Sequence, residues 1–384
     1  MLFGEIIGQQ GIKERMIRSV KEGRIPHAQL LHGSEGVGKL SLAIAYAQYI
    51  SCQKRGETDS CGSCPSCLKY AQLAHPDLHF VFPVIKPTGK STVVSDDFLG
   101  DFRAMFAKNN YFSLDEWYEK IGDGAKQGMI YSNESSEIIR KLSLKTYESE
   151  YKVMIIWLPE LMHEACSNKL LKILEEPPAF TLFLLVSNNP ANIITTILSR
   201  SQQIKVQHLS EDEIVQALSL RFPGKNSDEI VDAARIAGGS FVKARQLLFE
   251  ADEIAGDLTD FKELMRKAWM VGNKADHASL KTLKKWSDDM ASAAVGRERQ
   301  KKFLAYSQHM IRENFIFNLK NSQLNYMSSA ESDFSKNFSP FINERNVEDL
   351  VSEFALAERH IEQNVNGKMV FFDLVLKVIM LLKR

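Results

Sequence analysis

The sequence predicts an α/β domain with a parallel sheet built on a phosphate-binding P-loop and carrying a four-cysteine zinc module, followed by a small helical domain and a larger all-α domain. Three observations carry that expectation. An apolar run ending Leu30-Leu31-His32 meets Gly33, and a helical pattern starts near Leu40, which is the order strand, glycine loop, helix. Two further apolar runs, 153–157 and 181–187, are continuous rather than alternating, as expected of strands covered on both faces of a parallel sheet. From about Ser210 the strand signals cease.

The chain of 384 residues is too long for one ordinary core and suggests two or three domains. Lys plus Arg and Asp plus Glu both number 48, a balance that argues against holding nucleic acid by bulk electrostatics and leaves room only for a local basic patch. With 44% hydrophobic and 25% charged residues, the composition is that of a soluble globular protein. The first ten residues show no basic start, apolar stretch or small-residue cleavage site, so the expected location is cytoplasmic. The most apolar stretch, 369–382, contains Asp373 and Lys377, falls short of the roughly 20 residues that span a bilayer, and reads as a buried helix with no membrane role.

Between the second and third strands, 160–176 carries Leu161, Ala165, Leu170, Leu171 and Leu174 near helical spacing until Pro177 and Pro178 stop it. Strand–helix alternation makes the first domain α/β, over residues 1–207. Ser210 and Glu213 form a capping-box signal that opens a small helical domain over 208–250. A third, all-α domain follows over 251–384, where Val347, Leu350, Val351, Phe354 and Ile361 share one helix face. Within the first domain, about 83–128 reads as an ordered insertion: Phe98, Phe102 and Phe106 recur at i, i+4, and Ser113 with Glu116 makes another capping box.

The segment from Gly33 through Gly36 and Gly38 to Lys39 matches G-x-x-x-x-G-K, whose backbone N–H groups cradle phosphates while the lysine reaches the β and γ oxygens. The next position should offer a hydroxyl to Mg²⁺, and here it is Leu40; Ser41 lies about 100° further round the helix. The strand that should end in metal-binding acid ends instead Ile155-Ile156-Trp157-Leu158. Intrinsic ATP hydrolysis is therefore not expected. Two readings of the loop stay open: nucleotide (ATP or ADP) binding without hydrolysis, or a glycine turn that packs strand on helix with Lys39 solvated.

Four of five cysteines cluster as C-x8-C-x2-C-x2-C, Cys52, Cys61, Cys64 and Cys67. The two x2 steps let thiolates converge on one tetrahedral ion, and four sulfurs leave no open position, so a structural Zn²⁺ is expected. Gly56, Gly62 and Pro65 supply the turns. A redox C-x-x-C reading lacks a thioredoxin-like context. Cys166 stands apart and is expected to be inert.

These features together resemble the bacterial replicative clamp-loader subunits of the AAA+ family over nearly all of the first 250 residues. The similar residues are Ile7-Gly8-Gln9, the RIPHA run from Arg24, the four-cysteine module followed by His75-Pro76-Asp77, and NKLLKILEEPP at 168–178. Leu198-Ser199-Arg200-Ser201 is similar to the family's Ser-Arg-Cys motif with Ser201 in place of Cys. The resemblance implies that Arg200 is an arginine finger reaching a neighbour's ATP, a role its planar, permanent charge suits; the plain alternative is a surface arginine. The GGSFVKA run from Gly238 aligns with the second sensor, where an active ATPase has arginine and this chain has Val242.

The resemblance further implies that 208–250 is a helical lid and 251–384 an oligomerisation collar, the latter similar only through its periodicity and the NVNGKMV run from Asn364. It implies a non-hydrolysing subunit of the DNA polymerase III clamp loader, with gamma or tau and delta subunits, the sliding clamp and primed DNA as partners. Two alternatives stand beside it. One is a hydrolysing gamma/tau-like subunit in which Ser41 or Glu160 replaces the missing ligands. The other is a zinc-ribbon nucleic-acid reader using Lys54, Arg55 and Lys69. The 83–128 insertion departs from the family pattern.

Overall fold

A computed structural model describes residues 1–383 apart from 88, 91, 123–127, 250, 293 and 321–324. Contacts divide the chain into two compact units, Met1–Arg245 and Gln246–Arg384. The residue at the expected 250/251 boundary and part of the 83–128 insertion thus lie outside the described residues.

In the first unit the elements run α1 (Gln10–Lys21), β1 (Ala28–His32), α2 (Lys39–Ser51), α3 (Pro65–Ala71), β2 (Leu78–Val81), α4 (Leu99–Lys108), α5 (Leu114–Ile121) and α6 (Glu134–Ser143). They continue β3 (Lys152–Trp157), α7 (Glu164–Glu175), β4 (Thr181–Ser187), α8 (Thr195–Ser199), β5 (Gln202–Lys205), α9 (Glu211–Arg221), α10 (Ser227–Ile236) and α11 (Phe241–Phe249), the last crossing into the second unit. The five strands form one sheet in the order β2-β3-β4-β1-β5, every pair parallel.

The continuous apolar strands are buried on both faces, and their alternate side chains serve two cores. Leu31, Val153, Ile155, Leu182 and Leu184 face a core shared with α2, every residue of which is buried. Leu30, Met154, Ile156, Phe183 and Leu185 face the other, with Ile138 of α6 and Leu170 and Leu174 of α7. The 160–176 helix begins later than its spacing suggests, at Glu164, because Leu158 adopts a left-handed φ of 57° and Pro159–Leu161 forms a 3-10 turn.

The described part of the insertion is ordered core. Phe102 stacks on Phe82 at 4.3 Å and meets Trp117 edge-on at 5.5 Å, and the Trp117 indole N–H donates to the Pro83 carbonyl at 2.7 Å. The Ser113–Glu116 and Ser210–Glu213 capping boxes both form.

The second unit is helical: α12 (Ala251–Lys274), α13 (His277–Met290), α14 (Arg297–Asn318), α15 (Ser329–Phe338), α16 (Val347–Glu362) and α17 (Gly367–Leu381). Leu350, Phe354 and Ile361 of α16 are buried against a core with Phe303 and Phe371, as their shared face requires. Helix α17 is amphipathic rather than buried throughout, since Met369 and Met380 remain 71% and 59% exposed. Among the described residues, no helix is long and apolar enough to cross a membrane.

Candidate nucleotide and metal sites

Parallel pairing brings the carboxyl ends of β1, β3 and β4 to one edge, with His32 in register with Ser187 and Trp157 with Val186. Ligands of open parallel sheets bind at this edge. The loop from Gly33 turns there into α2, with Gly36 at φ +81° and Gly38 at φ +90°, a region L side chains rarely adopt. Gly38 is the N-cap of α2, so the unpaired N–H groups of the first turn open toward the loop as an anion site requires.

Of the two readings left open for the loop, the one with a solvated Lys39 does not match the position of this side chain. It is 4% exposed, and its ammonium donates to the carbonyls of Gly33, at 2.8 Å, and Ser34. Burial lowers its pKa to about 8 against the pull of Glu35 and Glu160.

The positions where the motif and the resemblance call for metal or nucleotide contacts are apolar in space as in sequence. Leu40, Trp157, Leu158 and Val242 are all buried, and Leu40, Trp157 and Val242 line a cavity of ≈ 30 Å³ beside Lys39, large enough to admit water. The Ser41 hydroxyl donates to the Asn110 carbonyl at 2.7 Å. Glu160 Oε1 accepts the backbone N–H groups of Asn188 and Asn189 at 2.7 and 3.0 Å, fastening the turn after β4, while its Oε2 is buried without a hydrogen-bond partner among the described residues.

Residues that the sequence did not single out close this edge. The Tyr111 hydroxyl lies 2.7 Å from where a Cβ on Gly38 would sit, and accepts the Ile7 N–H at 3.0 Å. Arg245 of α11 donates to the Tyr111 carbonyl at 2.5 Å and pairs with Glu116. No motif marks Tyr111 or Arg245; only the Ser113–Glu116 capping box hinted that this stretch is fixed.

Arg200 follows α8 at the other end of the sheet. β5 starts in register with Gln29, three residues before His32, so Arg200 and the glycine loop flank opposite ends of the β1–β5 pair, separated by about 10 Å of strand at 3.3 Å per residue. Its guanidinium pairs with Glu175 at 2.6 Å and donates to the Thr196 carbonyl at 3.0 Å.

Cys52, at the end of α2, and Cys61, Cys64 and Cys67 converge so that all four sulfurs lie within 4.8 Å of one another. None is in a disulfide. The Cys52–Cys61 and Cys61–Cys67 separations of 3.6 and 3.9 Å match the edge of about 3.8 Å that a Zn–S length of about 2.3 Å gives a tetrahedron. Backbone N–H groups of Cys61, Cys64 and Cys67 point at the sulfurs of Cys52, Cys61 and Cys64 at 3.4, 3.3 and 3.5 Å, donors suited to thiolates. The set fits a zinc ion, which would supply cross-linking and no reaction. Asp77 of the following His-Pro-Asp run accepts the N–H groups of Tyr147, Glu148 and Ser149 at 2.6 to 2.8 Å, fixing the connection into β3. Cys166 is buried, and burial pushes its thiol up to about 12.

A family model described as DNA polymerase III, delta subunit, matches residues 8–210. The chain is similar to DNA polymerase III subunit delta' of Bacillus subtilis, 28% identical over 212 residues, covering 54% of this chain and 51% of the relative. It is 27% identical to subunit delta' of Escherichia coli over 62% of this chain and 59% of the relative. To subunit tau/gamma of Haemophilus influenzae it is 26% identical, over 65% of this chain and 30% of the relative. The chain thus spans between about a third and three fifths of the curated relatives it matches. With more than half of its residues matched by that model, the chain belongs to the DNA polymerase III delta-subunit family of clamp-loader proteins.

Proposed function

We propose that this chain is a delta-prime-type subunit of the replicative clamp loader that does not hydrolyse ATP and lends Arg200 to the ATP site of an adjacent subunit. The observation that carries it is the apolar mouth of the glycine loop: Leu40, Trp157 and Val242 occupy the three places where Mg²⁺ and nucleotide would be handled. A finger acting in trans is supported by the placement of Arg200 at the end of the sheet away from its own loop. Under this reading the partners are gamma or tau and delta subunits and the sliding clamp, with primed DNA contacted by the assembly. The domains are a P-loop domain over 1–207, a lid over 208–250 (α9–α11) and a collar over 251–384 (α12–α17). Structural Zn²⁺ sits on Cys52, Cys61, Cys64 and Cys67, and Gly33, Gly36, Gly38 and Lys39 form a vestigial nucleotide loop.

The hydrolysing alternative is disfavoured because the Ser41 hydroxyl is committed to Asn110 and one Glu160 oxygen to the turn after β4. Reconstituting the assembly with a hydrolysing subunit, with and without Arg200→Ala in this chain, tests the reading. Loss of DNA-stimulated ATPase is expected, and an unchanged rate would remove Arg200 from the role.

A further inference from the structure

We propose that residues 110–116 act as a built-in ligand. They fill the space between the glycine loop and helices α9 and α11, exclude nucleotide from it, and hold those helices against the loop in its place. The inference rests on the reading above only in taking the loop for a former nucleotide site.

On the loop side, the segment meets the groups that a nucleotide would use. The Tyr111 oxygen sits against Gly38, so a phosphate approaching the N–H groups of the first turn of α2 would have to displace it. The Asn110 carbonyl takes the Ser41 hydroxyl, and the Leu114 N–H donates to Glu35 of the loop itself at 3.1 Å.

On the helix side, two arginines from different helices converge on the same residues. Arg221 of α9 lies 5.2 Å over the Tyr111 ring and donates to Asn110 at 3.1 Å. Arg245 holds both the Tyr111 carbonyl and the Glu116 carboxylate. Carbonyl and carboxylate oxygens here satisfy guanidinium groups as phosphate oxygens satisfy them elsewhere. With this bridge in place α11 meets the loop directly, the Phe241 N–H donating to the Gly36 carbonyl at 3.1 Å.

Ordinary packing accounts for the burial of one tyrosine ring. It does not account for arginines of two helices, a loop carboxylate and a hydroxyl of the first turn of α2 all meeting one seven-residue stretch. The stretch is also preorganised, because Glu116 closes the capping box of α5 and the adjacent Trp117 is wholly buried. A nucleotide would bind only the fraction of molecules in which the bridge has opened, and its apparent affinity falls by that fraction.

The test uses the full-length chain, fluorescently labelled ADP with Mg²⁺, and hydrogen exchange of α9–α11. The native chain is expected to show no saturable ADP binding. A Tyr111→Ala/Glu116→Ala variant is expected to bind ADP saturably and to exchange amides of α9–α11 about tenfold faster, with protection restored by ADP. Tyr111→Phe, which keeps the ring, is expected to behave as the native chain. If the double variant does not fold, Glu116→Gln, which unpairs Arg245 at constant volume, is read by the same exchange criterion. Saturable ADP binding by the native chain overturns the proposal, as does a folded variant with unchanged exchange or without ADP binding. ADP binding by the native chain without ATP turnover would end this proposal and leave the non-hydrolysing reading standing.

Discussion

Arg200 and Glu175 form an ion pair, Nη2 to Oε1 at 2.6 Å, joining the residue after α8 to the last residue of α7. Both side chains are substantially exposed, at 34% and 48%, so the pair contributes at most about 1 kcal/mol. Under the proposed role the guanidinium would exchange that carboxylate for phosphate oxygens, and so weak a pair would oppose the exchange little.

Under the proposed role Arg200→Ala is expected to leave the unfolding midpoint of the chain nearly unchanged while lowering turnover at the adjacent subunit's ATP site in the reconstituted assembly by about 10³. Arg200→Lys should lower it too, since the ammonium lacks the planar fork. Stopped-flow phosphate release on matched assemblies reads both.

The cysteine cluster makes a separate prediction. Metal analysis of protein purified without chelator should give one zinc per chain. Cys64→Ser removes a candidate ligand while its hydroxyl can still accept the Cys67 N–H that the sulfur takes at the first turn of α3, so the variant reads the metal and not the cap. The expected result is loss of zinc and exchange that accelerates first over residues 52–71. Zinc-free protein with unchanged thermal stability would contradict the assignment.

Glu134 gives a pH dependence. It is 1% exposed, with Oε2 accepting the Ser95 N–H at 2.7 Å and Oε1 unpartnered among the described residues. Burial raises its pKa from 4.5 to about 7, against the Ser95 N–H and Lys141. The folded chain thus holds this proton more tightly than the unfolded chain, so stability from this group is greatest below about pH 4.5 and falls as pH rises to about 7. The loss is on the order of 3 kcal/mol at 1.36 kcal/mol per unit. Glu134→Gln should flatten that part of the urea-denaturation profile between pH 5 and 8; a variant with the native slope would contradict the assignment.

The insertion should unfold with the sheet. Phe102 touches Phe82, Phe112, Trp117 and Trp157, and Trp157 ends β3. Phe102→Ala is expected to cost about 3–5 kcal/mol in a single cooperative transition. A cost below about 1 kcal/mol, or a separate early transition, would make the insertion an appendage.

What the sequence disclosed follows from how each element is stabilised. β1, β3 and β4 are buried on both faces and therefore read as continuous apolar runs, and the cysteine spacing fixed its cluster through local turns. β5 was invisible because as an edge strand it buries only Ile204 among Gln202, Gln203 and Lys205. β2 was obscured by its four-residue length next to the His-Pro-Asp turn. The surroundings of the glycine loop were half legible: Leu40, Trp157 and Val242 stand at positions that a motif marks. Tyr111 and Arg245 reach the site across 134 residues of chain, and no periodicity records such a contact.

Under the proposed function the chain carries a glycine loop without turning over ATP. The most direct measurement is Mg²⁺-dependent phosphate release by the purified full-length chain at saturating ATP, beside its Lys39→Ala variant. The same background rate is expected of both. Steady turnover by the native chain that Lys39→Ala abolishes would contradict it.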